Sequence, residues 1–255
     1  MTAYDAELYD LIHRGNDGDL KFYLDGCQEA ISVLELGCGS GRISLELLRL
    51  GKRVFGLDNN PKMLTSLEQH AKLLPVNVKQ QLCLVPGDMS AFNLKERFDR
   101  VIIPYNGLLC LLDEAAVISC FRAVVGHLKE DGLLLFDIYH VEEPDDVSSF
   151  NDVQEDFEPL VSIETPRGCV DVFERHIPNW DLRRFDVSYL YHIKTNKKIY
   201  EQEQIIRQRC IYPHEISSLL AKAGLQQRSV LRNFCEHESD EETQQIAITA
   251  SPLPG

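Results

Sequence analysis

The run Val33-Leu34-Glu35-Leu36-Gly37-Cys38-Gly39-Ser40-Gly41-Arg42 compresses a buried strand, a glycine turn and the start of a helix into one short segment. Glycine accepts positive φ and carries no side chain, so such a turn lets a ligand lie against backbone amides at a helix N-terminus. A bare Gly-x-Gly-x-Gly is weak evidence, since a tight strand-to-helix turn needs glycines too. Its position after a first strand favours a nucleotide-like cofactor.

The rest of the chain must then supply a sheet for that turn to sit on, and the apolar pattern does so. Apolar runs at 31–36, 54–57, 82–85, 101–103 and 133–136 read as strands. Between them lie helical stretches: 43–50, one opened by Asn60-Pro61 with Met63, Leu64, Leu67 and Ala71 on one side, and one with the stripe Ala116, Val117, Cys120, Phe121, Val124 and Leu128, closed by Asp131-Gly132. Continuous apolar strands separated by amphipathic helices predict a doubly wound, mostly parallel α/β sheet with helices on both faces, of Rossmann-like type. Residues 31–144 make this core, and residues 1–30 read as two short helices capping it.

Beyond residue 145 the texture changes. Segment 145–165 is acidic and irregular, and then Phe185, Val187, Tyr189, Tyr191 and Ile193 alternate with Asp186, Ser188 and His192. With similar runs at 170–175 and 199–208, this predicts three antiparallel strands, a β insertion over 145–210 that covers the acceptor site. Its aromatic face reads first as a buried sheet face and second as a cage; His192 and Arg175 read as solvated. A helix from Pro213 to Gly224 and strands at 230–234 and 245–250 complete the core sheet over 211–255. The acidic run Glu236, Glu238, Asp240, Glu241 and Glu242 reads as a loop.

Composition excludes several functions. At 255 residues, 44% hydrophobic and 26% charged, the chain can bury a core. A formal charge of −14 opposes nucleic acid and anionic membranes as partners and favours a small molecule, or a peptide. Eight scattered cysteines without a Cys-x-x-Cys pair argue against zinc. The acidic start fits no signal peptide, and no apolar run spans a bilayer, so a cytoplasmic protein is expected.

Charge selects among cofactors. Gly39-Ser40-Gly41-Arg42-Ile43-Ser44 approaches a dinucleotide fingerprint, with Ser44 in the third-glycine place, which keeps a nicotinamide or flavin cofactor in play. Yet Glu35, Asp58 and Asp88 close three successive strands. A pyrophosphate beside Glu35 is repelled, whereas a sulfonium, an ammonium and ribose hydroxyls suit the acids. Asp58 lies 21 positions after Gly37, the reach of a ribose contact. The structural alternatives are an acid bonded to turn amides for Glu35, a helix cap for Asp58 and a turn cap for Asp88.

These residues resemble a known family. The run 33–42, Val54-Phe55-Gly56-Leu57-Asp58, Pro61-Lys62-Met63-Leu64, Gly87-Asp88-Met89, Phe98-Asp99 and the stretch 128–137 are similar, in order and spacing over residues 1–140, to class I S-adenosylmethionine-dependent methyltransferases. The resemblance implies that Gly37, Cys38, Gly39 and Gly41 pass under S-adenosylmethionine and that Glu35 helps hold its amine. It gives the ribose to Asp58 with Asn59 and Met63 nearby, and the adenine to Gly87, Asp88 and Met89. Tyr9, Arg14 and Tyr23 look like part of a cap over cofactor and acceptor, and Tyr105-Asn106 occupies the place that faces the transferred methyl. Ser40 stands where threonine is commoner. Ile103-Pro104-Tyr105-Asn106 has the residue types of the adenine-methylating signature in the wrong order, so DNA is not the expected acceptor.

Methyl transfer from a sulfonium is an in-line displacement accelerated by positioning and desolvation, with a general base needed only where the acceptor must lose a proton. Tyr105, Asn106 and His140, just beyond strand ends, are the catalytic candidates, with Tyr105 as packing and His140 as a surface residue the plainer alternatives. A non-catalytic S-adenosylmethionine-binding protein and an NAD(P)-dependent oxidoreductase are the competing functions. The acceptor, the atom methylated and the oligomeric state are not legible.

Overall fold

The computed structural model describes residues 5–140, 156–166, 168–196, 198–235 and 243–254. Two helices, α1 (Ala6–Ile12) and α2 (Asp19–Gly26), precede the alternating core. That core runs β1 (Ser32–Leu36), α3 (Arg42–Arg49), β2 (Arg53–Asp58), α4 (Pro61–Ala71), α5 (Val76–Lys79), β3 (Leu82–Pro86), β4 (Phe98–Ile103), α6 (Glu114–His127) and β5 (Leu128–Tyr139). Four strands follow, β6 (Glu158–Thr165), β7 (Gly168–Asn179), β8 (Arg184–Thr195) and β9 (Ile199–Ile206), and the chain ends with α7 (Ile216–Lys222), β10 (Leu225–Arg232) and β11 (Gln245–Pro252).

The main sheet has the order β10-β11-β5-β4-β1-β2-β3, with β1 to β5 parallel and β10 and β11 antiparallel. Every residue of β1 is buried, which only a strand covered on both faces allows. Successive side chains point to opposite faces. Leu34, Leu36, Val101, Ile103, Leu134 and Phe136 meet α6 and α7 in one core, while Val33, Val54, Ile102 and Leu135 meet α2 and α3 in the other. Glu35 and Asp137 share the parity of Val33 and Leu135. Their carboxyls therefore enter the α2/α3 face, which decides how both behave.

The expected doubly wound sheet is present, and so is a separate antiparallel sheet, ordered β6-β7-β8-β9. It has four strands where three were expected. The fourth, β6, lies in the stretch read as irregular; exposed along most of its length, it pairs with β7 through backbone bonds that its acidic composition does not announce. A second correction concerns α6, which ends at His127, with β5 starting at once instead of after Asp131-Gly132. His127 is pinned there: its Nε2 accepts the Leu94 N–H (2.7 Å) while Nδ1 lies 2.6 Å from the Ala123 carbonyl. Leu128 then pairs with Phe98, and Gly132 does not adopt positive φ. The apolar face of β7 and β8, Val170, Val172, Tyr191 and Ile193, packs on Leu8, Leu11 and Ile12 of α1. Residues 141–155 and the acidic run 236–242 lie outside the described residues. Among the described residues no helix is long and apolar enough to cross a membrane.

Candidate active site

Strand order reverses between β1 and β4, and open α/β sheets bind ligands at such a point beyond the carboxyl ends of their strands. The glycine turn follows β1 there, and the loop 104–106 follows β4. The amides of Gly37 and Cys38 donate to the Leu57 carbonyl (2.8 and 3.0 Å), binding the turn to β2. Gly41 has φ +99°, and a Cβ on it would meet Leu67 Cδ1 at 2.1 Å, so packing alone demands glycine there. Gly39, at φ +54°, differs: a Cβ would meet nothing within 4 Å. Gly37 is exposed, with Met89 Cε 3.5 Å from where its Cβ would stand. The turn thus presents an open backbone floor edged by Met89.

Asp58 sits at the centre of this floor. Its carboxylate accepts the amides of Gly39 (2.8 Å) and Asn60 (2.8 Å), and its own carbonyl accepts Gly87 N–H (3.1 Å). Burial raises its pKa and the two amides oppose that. A carboxylate has about four acceptor positions, so two remain for hydroxyl donors. Asn59 beside it is exposed, while Met63 and Cys38 are buried. The Cys38 thiol faces Gly56, whose hypothetical Cβ would stand 2.9 Å from Sγ, so Cys38 can offer a ligand its backbone only. Asp88 is exposed and caps its own turn, accepting Ser90 N–H and Oγ–H (both 2.7 Å). Glu35 differs from expectation: it is only 2% exposed, and the Ser44 hydroxyl donates to it beneath the turn. Burial pushes its carboxyl up to about 7. An open glycine floor with Asp58 at its centre and Asp88 exposed beside it fits a ligand with ribose hydroxyls and cationic character.

Across the switch point, Tyr105 and Asn106 both adopt left-handed φ, 56° and 58°. Asp137, at the end of β5, holds them: Oδ1 accepts the Tyr105 amide (2.8 Å) and Oδ2 the Asn106 amide (2.9 Å). Asn106 is 1% exposed, and neither its side-chain oxygen nor its nitrogen has a partner among the described residues. Facing Tyr105 is His13, at the end of α1, with ring centroids 6.0 Å apart; Tyr189 of β8 stands 5.0 Å from His13 on the other side. Burial pushes His13 down to about 4, so it is neutral at pH 7. Glu174, directly opposite Tyr189 in the second sheet, is close enough to Tyr139 and Tyr189 to act on both. His140 stands apart. Its backbone amide pairs with Gln244, and among the described residues no hydrogen bond or ring contact joins it to Tyr105 or Asn106. It follows Tyr139, whose phenol senses Tyr105 and Asp137, and neighbours along an extended chain point to opposite faces.

The N-terminal helices reach the site by several attachments. Asp19 and Arg42 form a two-pronged ion pair (2.9 and 2.6 Å), and the Arg42 guanidinium lies 5.5 Å over the Tyr105 ring. Ser40 in the glycine turn donates to Asp10 (2.6 Å), and Tyr9 packs on His13 at 4.0 Å. Arg14 is exposed, its Nε donating to Leu11 O (3.1 Å). Tyr23 departs from its expected place: it is fully buried, and its hydroxyl donates to Asp137. With no exposed surface it supports the loop after β4 from beneath. Sequence reasoning missed Asp137, Asp19, His13 and Glu174. Asp137 carried a signal, a lone acid ending the apolar run Leu133-Leu134-Leu135-Phe136. His13 and Glu174 carried none, because only tertiary contact brings them to Tyr105.

Comparison with known proteins agrees with this geometry. Residues 33–132 match a family model described as a methyltransferase domain. A putative methyltransferase of Bacillus subtilis, YqeM, is 26% identical over 252 residues, covering 96% of this chain and 94% of that protein. The solved CcbJ methyltransferase of Streptomyces caelestis superposes with TM-score 0.80 at 20% identity, over 98% of this chain and 96% of the other. The sugar N-methyltransferase KedS8 of Streptoalloteichus sp. ATCC 53650 does so at 0.75 and 15% identity, over 97% and 93%. The switch-point floor with Asp58 and Asp88 agrees with the matched segment, and over residues 33–132 the chain carries a methyltransferase domain, on a fold shared with solved methyltransferases.

Proposed function

We propose that this methyltransferase methylates an amine nitrogen of a small acceptor held between the loop 104–106 and the inner face of the second sheet. The observation that carries the reading is the row Glu174, Tyr189, Gln204. These residues lie directly opposite one another on β7, β8 and β9, so they share one face, and Tyr189 packs on the His13 that faces Tyr105. A carboxylate beside phenol rings attracts an ammonium through its charge and through the ring faces. An ammonium has no lone pair, so it first loses one proton to water, and the neutral His13 imidazole then accepts a hydrogen bond from a remaining amine N–H as nitrogen turns to attack. KedS8, similar in fold, is a sugar N-methyltransferase.

On the donor side the glycine turn would carry the cofactor, Asp58 its ribose and Asp88 with Met89 its adenine. Bound there, S-adenosylmethionine supplies an electrophilic methyl group on a sulfonium. The second sheet and α1 would exclude water from the acceptor, and residues 1–30, 31–144, 145–210 and 211–255 would act as cap, core, cover and sheet closure. All eight cysteines are free thiols, which suits the reducing cytoplasm we assign to the protein.

The test is methyl transfer from trideuteromethyl S-adenosylmethionine to paired amino and hydroxy sugars and short peptides, read by mass. Labelled amines, with Glu174→Gln raising the amine KM about tenfold at unchanged cofactor Kd, are expected. Label on hydroxyl analogues alone would overturn the amine reading.

A further inference from the structure

Two consecutive left-handed residues without a glycine are strained and persist only where surroundings over-determine them. Tyr105 and Asn106 are such a pair. What over-determines them is Asp137, fully buried, which accepts both amides and the Tyr23 hydroxyl besides. The guanidinium of Arg42, near enough to feel Asp137, is committed to Asp19. Asp137 is therefore held by dipoles, and each of its donors belongs to the loop after β4 or to α2.

We infer that Asp137 and Tyr23 are the positioning pair of the acceptor side: they hold the Tyr105-Asn106 turn so that the unpartnered Asn106 side chain meets the bound donor or acceptor. Three features set this apart from general fold support. The bonds converge on the two residues with strained φ, not on regular strand. The residue they orient has both side-chain polar atoms unpartnered among the described residues in a buried setting, where an unmade hydrogen bond is costly. The third donor comes from α2, whose neighbouring Asp19 grips Arg42 under the Tyr105 ring, so docking of the N-terminal helices and the shape of the turn are one event. Neither residue touches the reacting atoms, so both act through Asn106 and Tyr105.

The inference rests on the methyl-transfer reading, and one experiment separates the two. Amide exchange and proton–nitrogen spectra of the full chain are recorded for wild type, Asp137→Asn and Tyr23→Phe, with and without S-adenosylhomocysteine. In wild type the Asn106 side-chain amide signals should shift on binding. In Asp137→Asn, binding should stay within about threefold, exchange at Tyr105 and Asn106 should rise at least tenfold with β1 amides unchanged, and the Asn106 shift should vanish. Tyr23→Phe should show the same pattern at about threefold, and it carries the test should Asp137→Asn not fold. Unchanged exchange at 105 and 106 in a folded variant overturns the positioning pair, as does a loss spread equally over β1. A wild type that binds no S-adenosylhomocysteine overturns the methyl-transfer reading, and this inference with it.

Discussion

The two sides of the switch point are built on opposite principles. On the donor side the polar groups are mostly paired: Asp58 with two amides, Glu35 with Ser44, Asp88 with Ser90. On the acceptor side Asn106 and Gln204 Nε2 are buried with no partner among the described residues, and so is the Tyr191 hydroxyl on the same sheet face as Tyr189. A paired site is pre-organised and suits one ligand common to a whole family, while unpaired groups wait on a particular one. The difference is open to attack from both ends.

The largest effect belongs to Glu35. Its carboxyl, raised to about 7 by burial, is ordinary in the unfolded chain, near 4.5. A raised folded pKa means that stability is full below the unfolded value and is lost as pH climbs through the folded one. Between pH 5 and pH 8 this group alone should remove about 2.5 kcal/mol. Glu35→Gln should flatten that slope in denaturant titrations across the same range. An unchanged slope would mean that Glu35 ionises freely and that the donor side is not as closed as its pairing suggests.

Second comes Asp58→Ala, which removes the acceptor of two amides and the candidate ribose contact. Calorimetry with S-adenosylmethionine should show affinity falling more than tenfold, at least about 1.4 kcal/mol. Unchanged affinity in the folded variant would leave Asp58 as a brace for the turn and nothing more.

Legibility in the sequence divided along the same line. The glycine turn, the order of strands and helices and the ring of acids are local features, written in spacing and periodicity, and the main sheet follows them nearly throughout. Glu35 was legible as an acid at the end of a strand but not as one facing inward, because its parity with Val33 matters only once α3 brings Ser44 over it. His140 and Tyr23 differ from expectation for a related reason: no hydrogen bond or ring contact among the described residues joins His140 to Tyr105, and Tyr23, on α2, turns inward to Asp137. His13, Asp137, Glu174 and Gln204 come from four distant stretches and meet only in the folded chain. The edge strand β6 was missed because backbone pairing, not an apolar face, holds it.

The smallest effect has the opposite sign. Tyr191 is fully buried, and its hydroxyl has no partner among the described residues, so removing the oxygen deletes an uncompensated desolvation cost and keeps the ring that packs on α1. Tyr191→Phe should stabilise the protein by about 0.5–1 kcal/mol in the absence of acceptor, at the same pH, where Asp58→Ala destabilises it. Should the hydroxyl take part in acceptor binding, the same variant would raise the acceptor KM, trading affinity for stability as unpaired binding groups do. A loss of stability instead would reveal a partner for the hydroxyl in the free protein, and the contrast between a paired donor side and an unpaired acceptor side would fail at its most buried residue.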